Sequence, residues 1–253
     1  MLLALLGALL IGLSLGLLGS GGSILTVPVL VYLVGEPDKV AIAESLGIVA
    51  GISLVGALPY AVQKEVDWKS VFFFGIPGMI GTYGGAAISA YISGTTQLLI
   101  FGVVMLLAAY FMIKGKRSDL EEVKEHKRAP IWLLVGEGLI VGVLTGLVGV
   151  GGGFLIIPAL VLLGGLDMRI AVGTSLFIIA AKSMMGFYKY LDVLESEHLQ
   201  VNWELVGIFA LIGIVGSYVG NKLSKKIPQT TLKRGFGFFL ILMGIFILYT
   251  NIS

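Results

Sequence analysis

The sequence predicts an all-α polytopic membrane protein built as two inverted repeats, each a glycine-broken, re-entrant or hairpin segment plus three transmembrane helices. Three observations predict it. The first is composition: 57% of the 253 residues are drawn from AVILMFWYC, 13% are charged and the mean hydropathy is +1.01, whereas about a quarter of a soluble domain is charged. The second is a series of charge-poor runs, each near the ~20 apolar residues that cross a bilayer. The third is an internal duplication, which gives the architecture its two halves.

The runs come in order. Met1 to Gly35 carry no Asp, Glu, Lys or Arg; Val40 to Gln63 contain only Glu44; Ser70 to Ile113 are charge-free and long enough for two spans, with a polar hinge from Ser93 to Gln97. After the charged stretch Lys114 to Arg128 come Ile131 to Leu166, interrupted only by Glu137, then Ile170 to Tyr188, interrupted by Lys182, then Leu205 to Gly220 and Gly235 to Ser253. The chain therefore divides into a first repeat, 1–113, a basic linker, 114–130, and a second repeat, 131–253. The start lacks a basic n-region and an A-x-A cleavage pattern, so it reads as a helix of the mature protein.

Composition also excludes chemistry. With zero cysteines there is no disulfide scaffold, thiolate zinc site or cysteine nucleophile. His126 and His198 fall in polar loops, which argues against an intramembrane metal or haem site and leaves Ser20 without a base for hydrolase chemistry. No enzyme activity, cofactor, metal or nucleic-acid partner is expected. The partners expected are the lipid bilayer and a small anion; no pattern speaks to oligomeric state.

A shift of 130 aligns Gly16-Leu-Leu-Gly19-Ser-Gly21-Gly22 and Pro28 with Gly146-Leu-Val-Gly149-Val-Gly151-Gly152 and Pro158, and Ser45-Leu46 with Ser175-Leu176. A shift of 135 aligns Val66-Asp67-Trp68 with Val201-Asn202-Trp203 and Gly81 to Gly85 with Gly216 to Gly220. Charge then orients the halves, because basic residues favour cytoplasmic loops. The linker holds Lys114, Lys116, Arg117, Lys124, Lys127 and Arg128, and the last turn holds Lys222, Lys225, Lys226, Lys233 and Arg234, so both are placed inside; the acidic segment from Lys189 to Glu204 is placed outside. This works only if Ile131 to Leu163 makes no net crossing and is a hairpin broken at Gly149 to Gly153, with its counterpart broken at Gly19 to Gly22. Both termini then lie outside; the alternative, in which each broken segment is one long tilted helix, gives eight spans and parallel repeats and puts one of the two basic loops outside.

Non-helical backbone at membrane depth must be buried in protein or line a wet cavity. The residues after each break, Ser23 to Leu33 and Phe154 to Leu163, are too few to span and read as half-helices, whose free first-turn N–H groups and positive dipole end suit an anion. Two such ends near the midplane are an arrangement of secondary transporters. Candidate substrate-binding residues are Gly19, Gly21, Gly22, Pro28 and Ser45 in the first half, and Gly149, Gly151, Gly152, Pro158, Thr174, Ser175 and Lys182 in the second. Ser45, Thr174 and Ser175 could bond either a ligand or the backbone one turn back. Lys182, about a dozen residues into a span, is costly unless it faces a cavity or a partner. Glu44 and Glu137 are candidates for proton coupling if buried, and interfacial residues if not. The pairs Gly12/Gly16, Gly81/Gly85, Gly142/Gly146 and Gly216/Gly220 are packing positions.

With its duplicated Gly-x-Gly-Gly-x5-Pro element and the following Ser-Leu pair, the chain resembles, over essentially its whole length, the TauE/SafE family of membrane transporters, also described as sulfite exporters. The resemblance implies export of a small sulfur-containing anion, sulfite or an organosulfonate, across the cytoplasmic membrane. The family's element falls on Gly19, Gly21, Gly22 and Pro28 and again on Gly149, Gly151, Gly152 and Pro158; its Thr-Ser-Leu falls on Thr174, Ser175 and Leu176. The first half departs with Glu44 in place of Thr174 and Ser23 in place of Gly153. A passive anion channel would suit the same helix ends and lysine.

Overall fold

The computed structural model describes residues 2–18, 22–114, 130–162, 164–224 and 229–252. Gly19, Gly21, residues 115–129 of the basic linker and Lys225 and Lys226 lie outside the described residues. Among the described residues the protein is all-helical. The first half runs α1 (Leu2–Leu18), α2 (Ser23–Pro28) with a π-helical continuation (Val29–Val34), α3 (Asp38–Val62), α4 (Trp68–Ser89) and α5 (Gly94–Lys114). The second half runs α6 (Ile131–Val148), α7 (Gly153–Leu162), α8 (Met168–Ser196), α9 (Trp203–Ser224) and α10 (Gln229–Ile252).

Local chemistry explains where these helices begin and end. Asp67 caps α4, its carboxylate accepting from Ser70 N–H at 3.1 Å, and Asn202 caps α9, its side-chain oxygen accepting from Leu205 N–H at 3.1 Å; each satisfies an orphan donor of the first turn. Gly149 ends α6 at φ 72°, in the left-handed region that glycine enters without penalty, with its N–H bonded to Thr145 O at 2.9 Å. Gly35 and Gly165 close the two short second legs the same way, at φ 87° and 61°. Pro28, which has no N–H to donate, stands where α2 gives way to the π-helical residues.

Each broken segment has a long first leg and a shorter second one. At 1.5 Å per residue α6 is about 27 Å long and α7 about 15 Å. Among the described residues five helices are long and apolar enough to cross a membrane: α3, α4, α6, α8 and residues Trp203–Leu223 of α9. The apolar stretches of α5 and α10 are shorter, Gly94–Tyr110 and Gly237–Asn251. Helices thus form at the expected charge-free runs, but the apolar stretches of α5 and α10 fall short of a span, and α6, expected as one leg of a hairpin, is itself long enough to cross.

The halves interlock. α1 packs on α9 and α4 on α6, each across the division between halves, while α3 crosses α8 and α5 crosses α10. Exchanging the first five helices for the last five leaves this pattern unchanged. Glycine lets the backbones touch. A Cβ on Gly12 or Gly16 would strike Gly213 O or Ser217 O, one on Gly216 or Gly220 would strike Leu9 O or Leu13 O, one on Gly81 or Gly85 would strike Leu139 O or Val143 O, and one on Gly142 or Gly146 would strike Gly78 O or Thr82 O. All four small-xxx-small pairs are therefore packing positions.

The same contacts fix direction. Gly138, Gly142 and Gly146 meet Phe74, Gly78 and Thr82 in order, so α4 and α6 run parallel; Gly12 and Gly16 meet Gly213 and Ser217 in order, so α1 and α9 do too. Gly47 meets Phe187 while Gly173 meets Tyr60, so α3 and α8 run antiparallel, and Gly102 meeting Leu248 with Gly237 meeting Ile113 makes α5 and α10 antiparallel. Ion pairs join loops that this pattern brings to one end: the Glu65 carboxylate with Arg169 Nε at 2.7 Å, and at the opposite end Lys39 with Glu197.

If backbone contact at these glycines holds the halves together, Gly142→Val and Gly216→Val should each lower stability by about 1–3 kcal/mol or more. Gly136→Ala and Gly207→Ala, where a Cβ meets nothing within 4 Å, should be neutral or stabilising by up to about 1 kcal/mol. Thermal unfolding of the four variants in detergent checks this; equal losses in both sets would refute the packing argument.

Candidate functional site

The break between α6 and α7 lies inside the protein, with Gly149 to Gly153 all buried. Its groups are accounted for one by one. Ser45 Oγ, on α3, donates to Gly149 O at 2.7 Å and sits 2.8 Å from Ile42 O of its own helix. Gly152 O accepts the first bonds of α7, from Leu155 N at 3.1 Å and Ile156 N at 3.3 Å. Gly151 is wedged among Val49 of α3, Ile179 of α8 and Ser23 at the start of α2, each 2.9–3.1 Å from where its Cβ would be. The two short helices therefore begin beside each other, where α3 crosses α8.

Lys182 comes from α8 to this point. It is fully buried, at 0% exposure. Its stem lies along α4, where a Cβ on Gly78 would stand 2.8 Å from Lys182 Cδ. Its ammonium donates to Thr145 Oγ1 at 3.0 Å, and Thr145 in turn donates to Val141 O at 2.8 Å. Gly152 is the third member of the group: it sits at φ 66°, and a Cβ there would lie 2.5 Å from Thr145 Oγ1 and 2.8 Å from Lys182 Nζ. Any side chain at Gly152 would thus be strained and would displace the ammonium from the start of α7. A small void beside Thr145 and Gly152 is walled by Val104, Leu144, Val148 and Leu155.

The corresponding place in the first half is apolar. The shift of 130 turns Lys182 into Ile52, Thr145 into Leu15 and Gly152 into Gly22, and the contacts follow the shift. Gly213 meets Ile52 as Gly78 meets Lys182, and Gly22 meets Leu15 as Gly152 meets Thr145. At Gly22 φ is −65°, so this glycine is required by its closeness to the α1 backbone. The expectation of two matching half-helix ends meets a structure in which, among the described residues, the lysine and threonine pair stands at the second break and Ile52 and Leu15 stand at the equivalent positions of the first.

Other candidates have different occupations. Thr174 Oγ1 accepts from Asp67 N–H at 2.9 Å, and Glu44 Oε1 accepts from Asn202 N–H at 2.8 Å. The departure of Glu44 from Thr174 is thus a change of acceptor at equivalent positions, each holding the start of a helix from the other half. Glu44 is fully buried and its Oε2 has no hydrogen-bond partner. Ser175 Oγ donates to Val172 O at 2.8 Å, the bond to its own helix. Pro28 is buried within the α2 leg; Pro158 lies in α7, and its side chain is outside the described set. Glu137 is partly buried, with a buried Oε2 lacking a partner; positions 137, 141 and 145 share one face of α6.

Sequence reasoning missed two participants. Thr145 reads as one more small polar residue in an apolar run, and only its placement one turn before Gly149 hints at a role. The second is a buried cluster past the break, in which Gln97 Nε2 of α5 donates to Leu147 O and to the Tyr190 hydroxyl, both at 3.0 Å. Gln97 and Tyr190 are fully buried, Tyr190 among the largest side chains so enclosed.

Comparison with known proteins agrees with this architecture. The sequence profile of the family described as "Sulfite exporter TauE/SafE" matches residues 4–247. A "Probable membrane transporter protein" of Xylella fastidiosa is 30% identical over 248 residues, covering 96% of this chain and 92% of that protein. The "Probable membrane transporter protein YunE" of Bacillus subtilis is 31% identical over 266 residues, covering 93% of each chain. A "Sulfite exporter TauE/SafE family protein 1" of Arabidopsis thaliana is 38% identical over 89 residues, 35% of this chain and 18% of that one. No solved structure matches. With a profile spanning nearly all of it and relatives matched along almost their whole length, the chain belongs to the sulfite exporter TauE/SafE family, a family of multi-pass membrane transporters and not of enzymes.

Proposed function

We propose that the protein is a secondary transporter that exports a small sulfur-containing anion, of the sulfite or organosulfonate class, across the cytoplasmic membrane by alternating access between two inverted repeats. The observation that carries the anion site is Lys182: a fully buried ammonium at the start of α7, whose described hydrogen-bond partner is the neutral Thr145 hydroxyl. A lysine inside a membrane protein needs a partner or a cavity, and the start of an interrupted helix offers an anion free N–H groups and a positive dipole end. An anion resting on Lys182, Thr145 and the backbone at Gly151 and Gly152 satisfies both. Ile52 and Leu15 at the equivalent positions argue for one anion per chain, with Gly22 and the α2 leg forming the wall opposite.

Inverted topology is supported by helix direction. α3 and α8 occupy equivalent positions in the two halves and run antiparallel, as do α5 and α10. Following the chain, α1, α3, α5 and α9 then point one way and α4, α6, α8 and α10 the other, so the end of α5 and the start of α6 lie opposite the start of α1 and the end of α10. Among the described residues Lys64, Lys69, Lys114, Arg169, Lys222, Lys233 and Arg234 fall at the first of these ends, Lys39 and Lys189 at the second, and Lys182 is interior. Together with the basic sequence of the linker, that bias supports a cytoplasmic linker with the termini outside.

Four outcomes are expected. Single cysteines at positions 2, 120, 196 and 252 of this cysteine-free chain should react with an impermeant thiol reagent on intact cells at 2, 196 and 252 and be protected at 120; the reverse pattern would sink the topology. Purified protein in liposomes should show saturable counterflow with at least one of sulfite, sulfate, thiosulfate and methanesulfonate, whereas a channel would give unitary currents without counterflow. Lys182→Met should weaken the anion by about 1.5–3 kcal/mol while leaving the empty protein as stable or more so, since it replaces a buried amine that has no carboxylate partner among the described residues by an apolar side chain. Gly152→Leu should abolish counterflow. Normal counterflow in both variants would move the site elsewhere.

A further inference from the structure

The surroundings of Lys182 constrain more than where an anion sits. We infer that the Lys182 amine is also the proton site of the cycle, taking up one proton with each anion and giving it up when the anion leaves, so that anion and proton move together one for one. This inference rests on the anion site proposed above and names its coupling ion.

An ammonium carries three donors, and here one of them is bonded, to Thr145. Each packed element can be checked for a counter-charge. α4, which lies along the lysine stem, contains no Asp or Glu between Trp68 and Ser89; its titratable residues are Lys69 and Tyr83, both exposed. α7 has no titratable residue between Gly153 and Leu162. α3 carries Asp38 and Lys39 at its start, Glu44, whose carboxylate holds Asn202 N–H, and Tyr60 near the other end, with Lys39 paired to Glu197. α8 itself carries Arg169 near its start and Tyr188, Lys189, Tyr190, Asp192 and Glu195 towards its end, with Arg169 paired to Glu65 and Lys189 to Asp192. α6 offers Glu137, two turns before Thr145 on the same face. Among the described residues no carboxylate is paired with Lys182 by a salt bridge or hydrogen bond.

The consequence is energetic. Holding a lone charge in a low-dielectric interior costs several kcal/mol even after relaxation, and one neutral hydroxyl returns a small part of that. Two states avoid the cost: the ammonium with an anion beside it, or the neutral amine with none. A transporter that cycles must pass through both, loaded in one direction and empty in the other. On release, Lys–NH3+ paired with the anion becomes Lys–NH2, and the proton and the anion leave to the same aqueous side. Ile52 at the equivalent position in the first half can hold neither, so the pair of equivalent positions takes one proton per cycle.

The test uses the full-length protein in liposomes with methanesulfonate and thiosulfate, whose charges do not change across the working pH range. Methanesulfonate with one proton is electroneutral, so it should accumulate on the alkaline side, about ten-fold for each pH unit of gradient at equilibrium, and ignore an imposed membrane potential. Thiosulfate should carry one net negative charge and respond to both. Lys182→Arg, whose guanidinium keeps its proton, should lose accumulation driven by the pH gradient, whatever rate of anion-for-anion counterflow it retains. Absence of counterflow with both anions in the wild type would remove the anion site and this inference with it. Counterflow with accumulation that follows the potential and ignores pH, or Lys182→Arg accumulating as the wild type does, would overturn the coupling and leave the anion site standing. The wild-type comparison of pH against potential decides the matter even where the arginine variant does not fold.

Discussion

A helix interrupted in the interior of a membrane leaves peptide N–H and C=O groups that lipid cannot pair, at a cost of several kcal/mol for each group left bare. The break between α6 and α7 is where this protein meets that constraint, and much of its architecture follows. Ser45 reaches across from the other half to take Gly149 O, Thr145 O takes the Gly149 N–H, and Val49, Ile179 and Ser23 close around Gly151. The break can exist because two helices from different halves cross against it. Once it exists, it offers what an unbroken bundle lacks, a helix start with unspent donors deep in the protein.

Bringing those crossing helices close enough is the work of glycine. In a bilayer there is no hydrophobic drive between helices, so association depends on close contact and on hydrogen bonds. The glycine ladders of α1 on α9 and α4 on α6 put backbone against backbone. The α4 ladder does double service: the groove that receives α6 at Gly81 and Gly85 also leaves room at Gly78 for the stem of Lys182. Scaffold and site use the same absence of side chains, one to let a helix in and the other to let a charge through.

Much of this was legible in the sequence, and the reasons are physical. The glycine pairs, the caps at Asp67 and Asn202, and the two breaks each demand a particular residue type, so their recurrence at shifts of 130 and 135 carries structural meaning. Lys182 announces itself because lysine is costly in an apolar span. What could not be read was which polar groups meet. Ser45, Thr174 and Ser175 look alike as hydroxyls near helix starts, yet one holds the break, one holds the start of α4 and one bonds its own helix. The π-helical stretch after Pro28 was equally silent, because a single proline is compatible with a kink, a stop or a change of winding. The one-sidedness of the site was in plain view, since Ile52 and Leu15 face Lys182 and Thr145 across the repeat, but it gains meaning only once the contacts are seen to follow the same shift.

The exchange of partners between halves also bears on how the protein is made. α1 emerges first from the ribosome, yet the helix that fills its groove, α9, ends at Ser224, near the other end of the chain. α4 likewise waits for α6. The most extensive helix contacts of the first half are made with helices of the second, so the glycine faces of α1 and α4 have no mates until α9 and α6 have been synthesised.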